Sequence, residues 1–96
     1  MLIGCPKEIK PQEFRTGLTP RAAAEAIAHG HQVIVETGTG LGAGFPDADY
    51  RAVGAEVVET AKEVFDRAEM IVKVKEPQAG ERVMLREGQV LFTYLH

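Results

Sequence analysis

The sequence has a single cysteine, no dense patch of basic residues and no long apolar run. Cys5 cannot form an internal disulfide, and because it lies in an apolar segment we expect a buried thiol in a reducing cytoplasm. With 11 Lys and Arg against 14 Asp and Glu, and no Lys/Arg cluster, the chain lacks the basic face of a nucleic-acid-binding protein. It also lacks the roughly 20-residue apolar run that crosses a bilayer and the basic-then-apolar order of a signal peptide. We therefore expect a cytoplasmic protein that binds neither nucleic acid nor membrane.

Two common ligand-binding motifs are also missing. No Cys/His cluster has the spacing of metal ligands, so we expect no metal site. The segment 38–44, GTGLGAG, resembles a dinucleotide-binding loop, but Ala43 or Phe45 stands where the third glycine of G-x-G-x-x-G belongs. Phe45-Pro46 then interrupts the helix that should receive a pyrophosphate at its N-terminus. We expect no cofactor site in this segment, and predict a loop that borders a substrate cleft or a subunit contact.

What the sequence does contain is an alternation of short apolar runs, rich in β-branched residues, with helical patterns. Its 45% hydrophobic and 26% charged residues are typical of a folded globular domain. The predicted strands cover residues 2–5, 31–37, 55–59, 69–75 and 89–96. The predicted helices cover residues 20–29, 47–53, 60–68 and 81–87. Thr19 and Asp47 are candidate N-caps, and Thr60 with Glu63 forms the pattern of a capping box.

Strand–helix alternation with right-handed crossovers predicts an α/β fold, an open parallel Rossmann-like sheet with helices on both faces. The expected strand order is 3-2-1-4-5. No internal domain boundary is visible in residues 1–96. The chain stops inside the apolar run 89–96 with no turn or polar tail after it, so we expect a sheet truncated after strand five by a cut in a longer protein.

Three candidate site residues follow predicted strands, where open α/β sheets bind their ligands. Arg15 lies in the loop after the first strand, and its guanidinium suits a carboxylate, although it could be a solvated loop residue. Lys75 ends the fourth strand and would need an anion or polar ligand unless its head reaches water. His96 ends the fifth strand and could transfer protons near neutral pH or be structural. We expect these three groups to gather at one edge of the sheet.

Neighbouring residues have less specific interpretations. Lys73 lies further inside the fourth strand and could reach a structural carboxylate. Tyr94 shares a predicted strand face with His96, and it could line a cleft or pack in the core. His29 and His31 flank a glycine at a helix–strand junction and are expected to be a surface pair.

Several segments resemble the N-terminal part of the alanine dehydrogenase family, and the resemblance covers essentially the whole chain. The similar segments are IGCPKEIKPQEFRTGLTP, GHQVIVETGTGLGAGF, DADYRAVGAEVV, IVKVKEP and LREGQVLFTYLH. The start of the nicotinamide nucleotide transhydrogenase α subunit is similar through the first strand and the glycine loop, and less so at KVKEP and YLH. Two alternatives therefore stay open: the soluble arm of a proton-translocating transhydrogenase, and a non-catalytic module that binds small acids.

The family resemblance implies a role for each candidate residue. Residues 1–96 would be the N-terminal part of a discontinuous substrate-binding domain, and a separate domain absent from this chain would bind NAD. Arg15 and Lys75 would bind the carboxylate and carbonyl of alanine or pyruvate, His96 would be the catalytic acid–base residue, and Tyr94 would line the cleft. The implied activity is reversible oxidative deamination of L-alanine to pyruvate and ammonia by a homo-oligomer, usually a hexamer. The isolated segment would be inactive.

Overall fold

The computed structural model describes residues 1–94 and contains one sheet of five parallel strands. The strand order is β3-β2-β1-β4-β5, which confirms the predicted order. The strands are β1 (Leu2–Cys5), β2 (Gln32–Glu36), β3 (Glu56–Val58), β4 (Met70–Lys73) and β5 (Val90–Thr93). Because the order reverses between β1 and β4, the loops that follow these two strands lie at the position where open sheets bind ligands.

Helices connect consecutive strands. They are α1 (Pro20–Ala28), α2 (Asp47–Ala52), α3 (Ala61–Arg67) and α4 (Ala79–Arg82), and a 3₁₀ turn covers Leu41–Ala43. Thr19 caps α1 as predicted, since its hydroxyl accepts a hydrogen bond from the Ala22 N–H at 3.1 Å. Thr60 caps α3 in the same way. No helix within residues 1–94 is long and apolar enough to cross a membrane.

The sheet is covered on both faces, as predicted. On one face, Ile3, Val33 and Val35 pack with Ala23 of α1 and Tyr50 of α2. A second apolar cluster lies on the other face, where α3 packs; its buried members are Ile34, Val58, Val64, Phe65, Ala68 and Ile71. Cys5 is fully buried, which confirms the expected buried thiol, and burial raises the pKa of that thiol.

Three predictions about element ends were wrong. The last helix covers Ala79–Arg82 instead of 81–87, because the Glu81 carboxylate accepts from the Gln78 N–H at the helix start. After Arg82 the chain forms turns, in which the Met84 and Leu85 N–H groups donate to carbonyls three residues back. Pro46, not Asp47, is the N-cap of α2; the Asp47 carboxylate accepts hydrogen bonds from the preceding glycine loop. The fourth strand ends at Lys73, so Lys75 lies in the loop beyond it.

Candidate functional site at the carboxyl rim of the sheet

The loop between β1 and α1 crosses the carboxyl end of β4, and it carries Arg15 to this rim. Gly17 makes the crossing possible, because a Cβ atom at this position would lie 2.5 Å from Val72 O and 2.9 Å from the Lys73 Cα. A glycine is therefore required by close backbone approach. Arg15 follows the first strand in sequence, yet its loop lies on the fourth strand in space, which brings it towards Lys75.

A tight turn precedes Arg15. Gln12 adopts a left-handed backbone conformation with φ 64°, and the Glu13 N–H donates to Lys10 O at 3.2 Å. Such a conformation costs a residue with a Cβ atom roughly 1–2 kcal/mol. The turn directs Glu13 inwards, where its side chain is only 5% exposed although its loop lies at the surface.

The Glu13 carboxylate binds Arg15 through both of its oxygens. Oε2 accepts from the Arg15 backbone N–H at 2.9 Å and from Nε at 3.0 Å, and Oε1 accepts from Nη2 at 2.9 Å. These hydrogen bonds, together with the nearby charge of Lys75, lower the pKa of Glu13 from its ordinary value of 4.5 to about 2. Glu13 is therefore ionised at neutral pH, while the Arg15 side chain is 60% exposed.

Lys75 approaches the same carboxylate. Its Nζ lies 4.0 Å from Glu13 Oε1, and its side chain is 32% exposed. The structure thus brings Arg15 and Lys75 together, as the sequence predicted, but around an acid that the sequence analysis missed. The spacing E-x-R after a proline-containing turn was the available indication, since an acid two residues before an arginine can fold back on it.

Lys73, in contrast, belongs to a buried ionic network. Its side chain is 1% exposed, and Nζ donates to Glu8 Oε1 at 3.2 Å and to Glu81 Oε2 at 3.0 Å. The sequence suggested one structural carboxylate as a partner of Lys73, and the structure contains two, Glu8 and Glu81. Glu8 also accepts hydrogen bonds from the backbone N–H groups of Val74 and Lys75, at 2.9 and 3.3 Å. The network therefore fixes the backbone from which Lys75 projects.

An open hollow of about 410 Å³ adjoins Arg15. Its lining residues are Arg15, Thr16, Thr19, Ala43, Val74 and Tyr94. A second hollow of about 240 Å³ is also lined by Arg15, together with Glu13 and the glycine loop. The loop packs closely here, because a Cβ atom at Gly42 would lie 2.9 Å from Phe14 O. Arg15 therefore lines both hollows, and Glu13 lines the smaller one.

Tyr94 lines the larger hollow. Its hydroxyl donates to Gly17 O at 3.2 Å, and its ring meets Phe92 edge-on with 5.3 Å between the ring centroids. The side chain is half exposed, so it does not have the buried core position that was the alternative. The hydrogen bond ties the end of β5 to the loop that carries Arg15.

The remaining predicted groups lie elsewhere. His96 falls outside the described residues. His29 and His31 lie between α1 and β2, at the opposite end of the sheet, where His29 is exposed and His31 partly exposed. Within residues 1–94, no group of three or more His, Cys, Asp or Glu side chains could hold a metal ion.

The glycine loop does not fit a dinucleotide pyrophosphate. The N–H of Gly38 already donates to Asp47 Oδ1 at 2.9 Å, and Asp47 and Asp49 place two carboxylates in the first turn of α2. A phosphate at this helix start would meet like charges where an anion site needs free N–H groups. Gly40 and Gly42 serve close packing within the chain, whereas Gly38 and Gly44 have positive φ angles of 81° and 91°.

An open parallel α/β sheet with two cations at its carboxyl rim defines a Rossmann-like domain suited to small anionic ligands. Residues 4–96 match the family model described as alanine dehydrogenase/PNT, N-terminal domain, and the chain belongs to this family. It is 55% identical over 96 residues to an alanine dehydrogenase of Methanococcus maripaludis, and 54% identical to one of Bacillus subtilis. These matches cover the whole chain and 26% and 25% of the two relatives.

Two solved structures are similar to this chain over nearly its whole length. An L-alanine dehydrogenase superposes with a TM-score of 0.95 at 53% identity, covering 100% of this chain and 26% of that one. A transhydrogenase from Sinorhizobium meliloti superposes with a TM-score of 0.91 at 33% identity, covering 99% and 27%. The chain thus spans about a quarter of the length of the proteins that it matches.

Proposed function

We propose that this chain is the N-terminal substrate-binding segment of an alanine dehydrogenase, which oxidatively deaminates L-alanine to pyruvate and ammonia with NAD, reversibly. The observation that carries the proposal is the meeting of Arg15 and Lys75 at one carboxylate, Glu13, which together with Arg15 lines the smaller hollow. With Glu13 ionised, the three side chains have a net charge of +1, which suits a small monoanionic acid. The high identity to alanine dehydrogenases over the whole chain supports the same function.

Each group then has a chemical role. Arg15 would bind the substrate carboxylate and orient the reacting carbon, a proximity effect. Lys75 would polarise the carbonyl oxygen of pyruvate and stabilise the negative charge that develops on it. His96 would move protons as the amine adds and leaves, and Tyr94 would line the cleft. NAD, which accepts the hydride when bound, would be held by another part of the protein.

The whole protein would be a cytoplasmic homo-oligomer, usually hexameric in this family. We expect residues 1–96 alone to have no dehydrogenase activity, because the glycine loop does not fit the cofactor. An assay of the isolated segment beside the full-length protein checks this expectation.

The decisive experiment is turnover of alanine with NAD by the full-length protein, followed by the variant His96→Ala. We expect the variant to lose turnover on the order of 10²-fold or more, the effect of removing a general acid–base group. His29→Ala is the matched control, since His29 is exposed at the other end of the sheet, and it should keep full activity. Normal turnover by His96→Ala would contradict the assigned role.

A second candidate function is the soluble arm of a transhydrogenase, favoured by the Sinorhizobium meliloti structure at 33% identity. Hydride exchange between two nicotinamide cofactors, without alanine turnover, would support this alternative. Pyruvate binding with neither activity would support a non-catalytic small-acid module.

A further inference from the structure

Glu13 has a position unlike that of an ordinary surface acid. Its side chain is 5% exposed, and both carboxylate oxygens are engaged by Arg15. Oε1 also lies 4.0 Å from the Lys75 ammonium. One carboxylate is thus shared by the two cations that the proposed function assigns to the substrate.

The contacts of Glu13 leave one edge of Arg15 open. A guanidinium has five N–H donors, and Glu13 takes one from Nε and one from Nη2. Within the described residues 1–94, Nη1 donates no hydrogen bond, and the side chain is exposed towards the hollows. A second carboxylate could therefore bind through the Nη1–Nη2 edge while Glu13 remains in place.

An arginine without such a partner would have to be ordered by the ligand itself. Immobilising a long charged side chain costs rotamer entropy. Here the cost is met before the ligand arrives, because three hydrogen bonds that Arg15 donates to Glu13 fix its backbone and its guanidinium. The ordered side chain is pre-organised for binding.

We propose that Glu13 is a positioning residue that holds Arg15 and Lys75 ready to receive one small carboxylic acid. The proposal rests on the proposed function, since it assumes that the two cations bind the substrate. Glu13 would act through Arg15 and Lys75 and would not touch the reacting atoms. The opposite role is a carboxylate that occupies the site and must be displaced by the substrate, which predicts the opposite sign in the test below.

The test uses the full-length protein with Glu13→Gln, which keeps the shape of the side chain and removes its charge. Wild type is first titrated with pyruvate and assayed for turnover, which tests the proposed function separately. For the variant we expect pyruvate to bind roughly 10-fold more weakly, with KM raised more than kcat is lowered, because the substrate must order both cations. An unchanged or tighter affinity in the variant, with a wild type that binds normally, would overturn the positioning role.

Glu56→Gln is the matched control. Glu56 accepts two hydrogen bonds from Arg67, at 2.8 and 2.9 Å, so it forms the same kind of bidentate pair at the amino end of β3. The Glu56→Gln substitution should leave pyruvate affinity unchanged. If Glu13→Gln does not fold, Glu13→Asp takes its place; its shorter side chain cannot span both cations, and it should also weaken binding.

A double variant separates positioning from a general structural effect. If Glu13 acts through Arg15, adding Glu13→Gln to Arg15→Ala should cost much less affinity than Glu13→Gln costs alone. Fully additive losses would contradict the proposal.

Discussion

Two ionic clusters lie at the carboxyl end of β4, and they use the same kinds of side chain differently. The inner cluster has one cation and two acids, Lys73 with Glu8 and Glu81, and all three are buried. The outer cluster has two cations and one acid, Arg15 and Lys75 with Glu13, and both cations reach solvent. The inner cluster therefore has no positive charge left to offer, whereas the outer one retains a net charge of +1.

The comparison shows how two neighbouring lysines come to have different roles. Lys73 and Lys75 are two residues apart, yet Glu81 of α4 reaches only the first of them. Glu8 connects the clusters, because it binds the Lys73 ammonium and accepts hydrogen bonds from the backbone of Val74 and Lys75. The inner cluster thus holds the chain in place, and the outer cluster is left to meet a ligand.

The largest expected effect is a loss of stability at the inner cluster. Lys73→Ala leaves two buried carboxylates without their cation, and removing one partner of a buried pair costs about 3–5 kcal/mol. The free energy of unfolding of the full-length protein, measured in urea, checks this value. Lys62→Ala breaks the exposed pair with Asp66 and should cost less than about 1 kcal/mol. Equal losses in the two variants would remove the distinction between buried and open clusters.

Arg15→Ala should weaken ligand binding more than it lowers stability, the opposite of what we expect for Lys73→Ala. Because the substitution also removes the side-chain partner of the Glu13 carboxylate, we expect the free energy of unfolding to fall by about 1 kcal/mol, less than for Lys73→Ala. Pyruvate affinity should fall roughly 10- to 100-fold, because hydrogen bonds to a charged group contribute about 1.5–3 kcal/mol. Isothermal titration measures the affinity, and Arg67→Ala, at the other end of the sheet, is the control. Undiminished affinity in Arg15→Ala would show that the outer cluster is not the binding site.

The smallest expected effect is a pH dependence of stability at the outer cluster. Glu13 has a pKa of about 2 in the folded protein against an ordinary value of 4.5, because Arg15 binds its ionised form. Its stabilising contribution is therefore complete above about pH 4.5 and is lost as the pH falls towards 2. Unfolding measured across this range should be less pH-dependent in Glu13→Gln than in wild type. Parallel profiles would show that the carboxylate is not held by Arg15.

The sheet was predictable because apolar runs and caps are local patterns. Alternating strands and helices with right-handed crossovers leave few topologies, and the predicted order was correct. Strand ends were less predictable. The alternating side-chain pattern of β4 continues in sequence to Lys75, but the strand itself ends at Lys73. The helix at 81–87 was misplaced because Glu81 is held by Lys73, a contact that hydrophobic periodicity does not reveal.

The site was predictable only in part. Arg15 and Lys75 were chosen because both follow strands at the point where the sheet order reverses, and the structure brings them to one carboxylate. Glu13 was missed because its loop, KEIKPQEFRTG, contains several charges, and it is the turn at Gln12 that directs Glu13 inwards. The E-x-R spacing indicates the local pair with Arg15, but the approach of Lys75 to the same acid is a tertiary contact with no local sequence pattern.

The most direct measurement is a crystal structure of the full-length protein with pyruvate. We expect one pyruvate at this rim, with its carboxylate within about 2.7–3.2 Å of the Arg15 guanidinium. Lys75 should contact the carbonyl oxygen, and Glu13 should still be bound to Arg15. Pyruvate bound away from both cations, or Arg15 and Lys75 turned towards separate surfaces in the complex, would contradict this expectation.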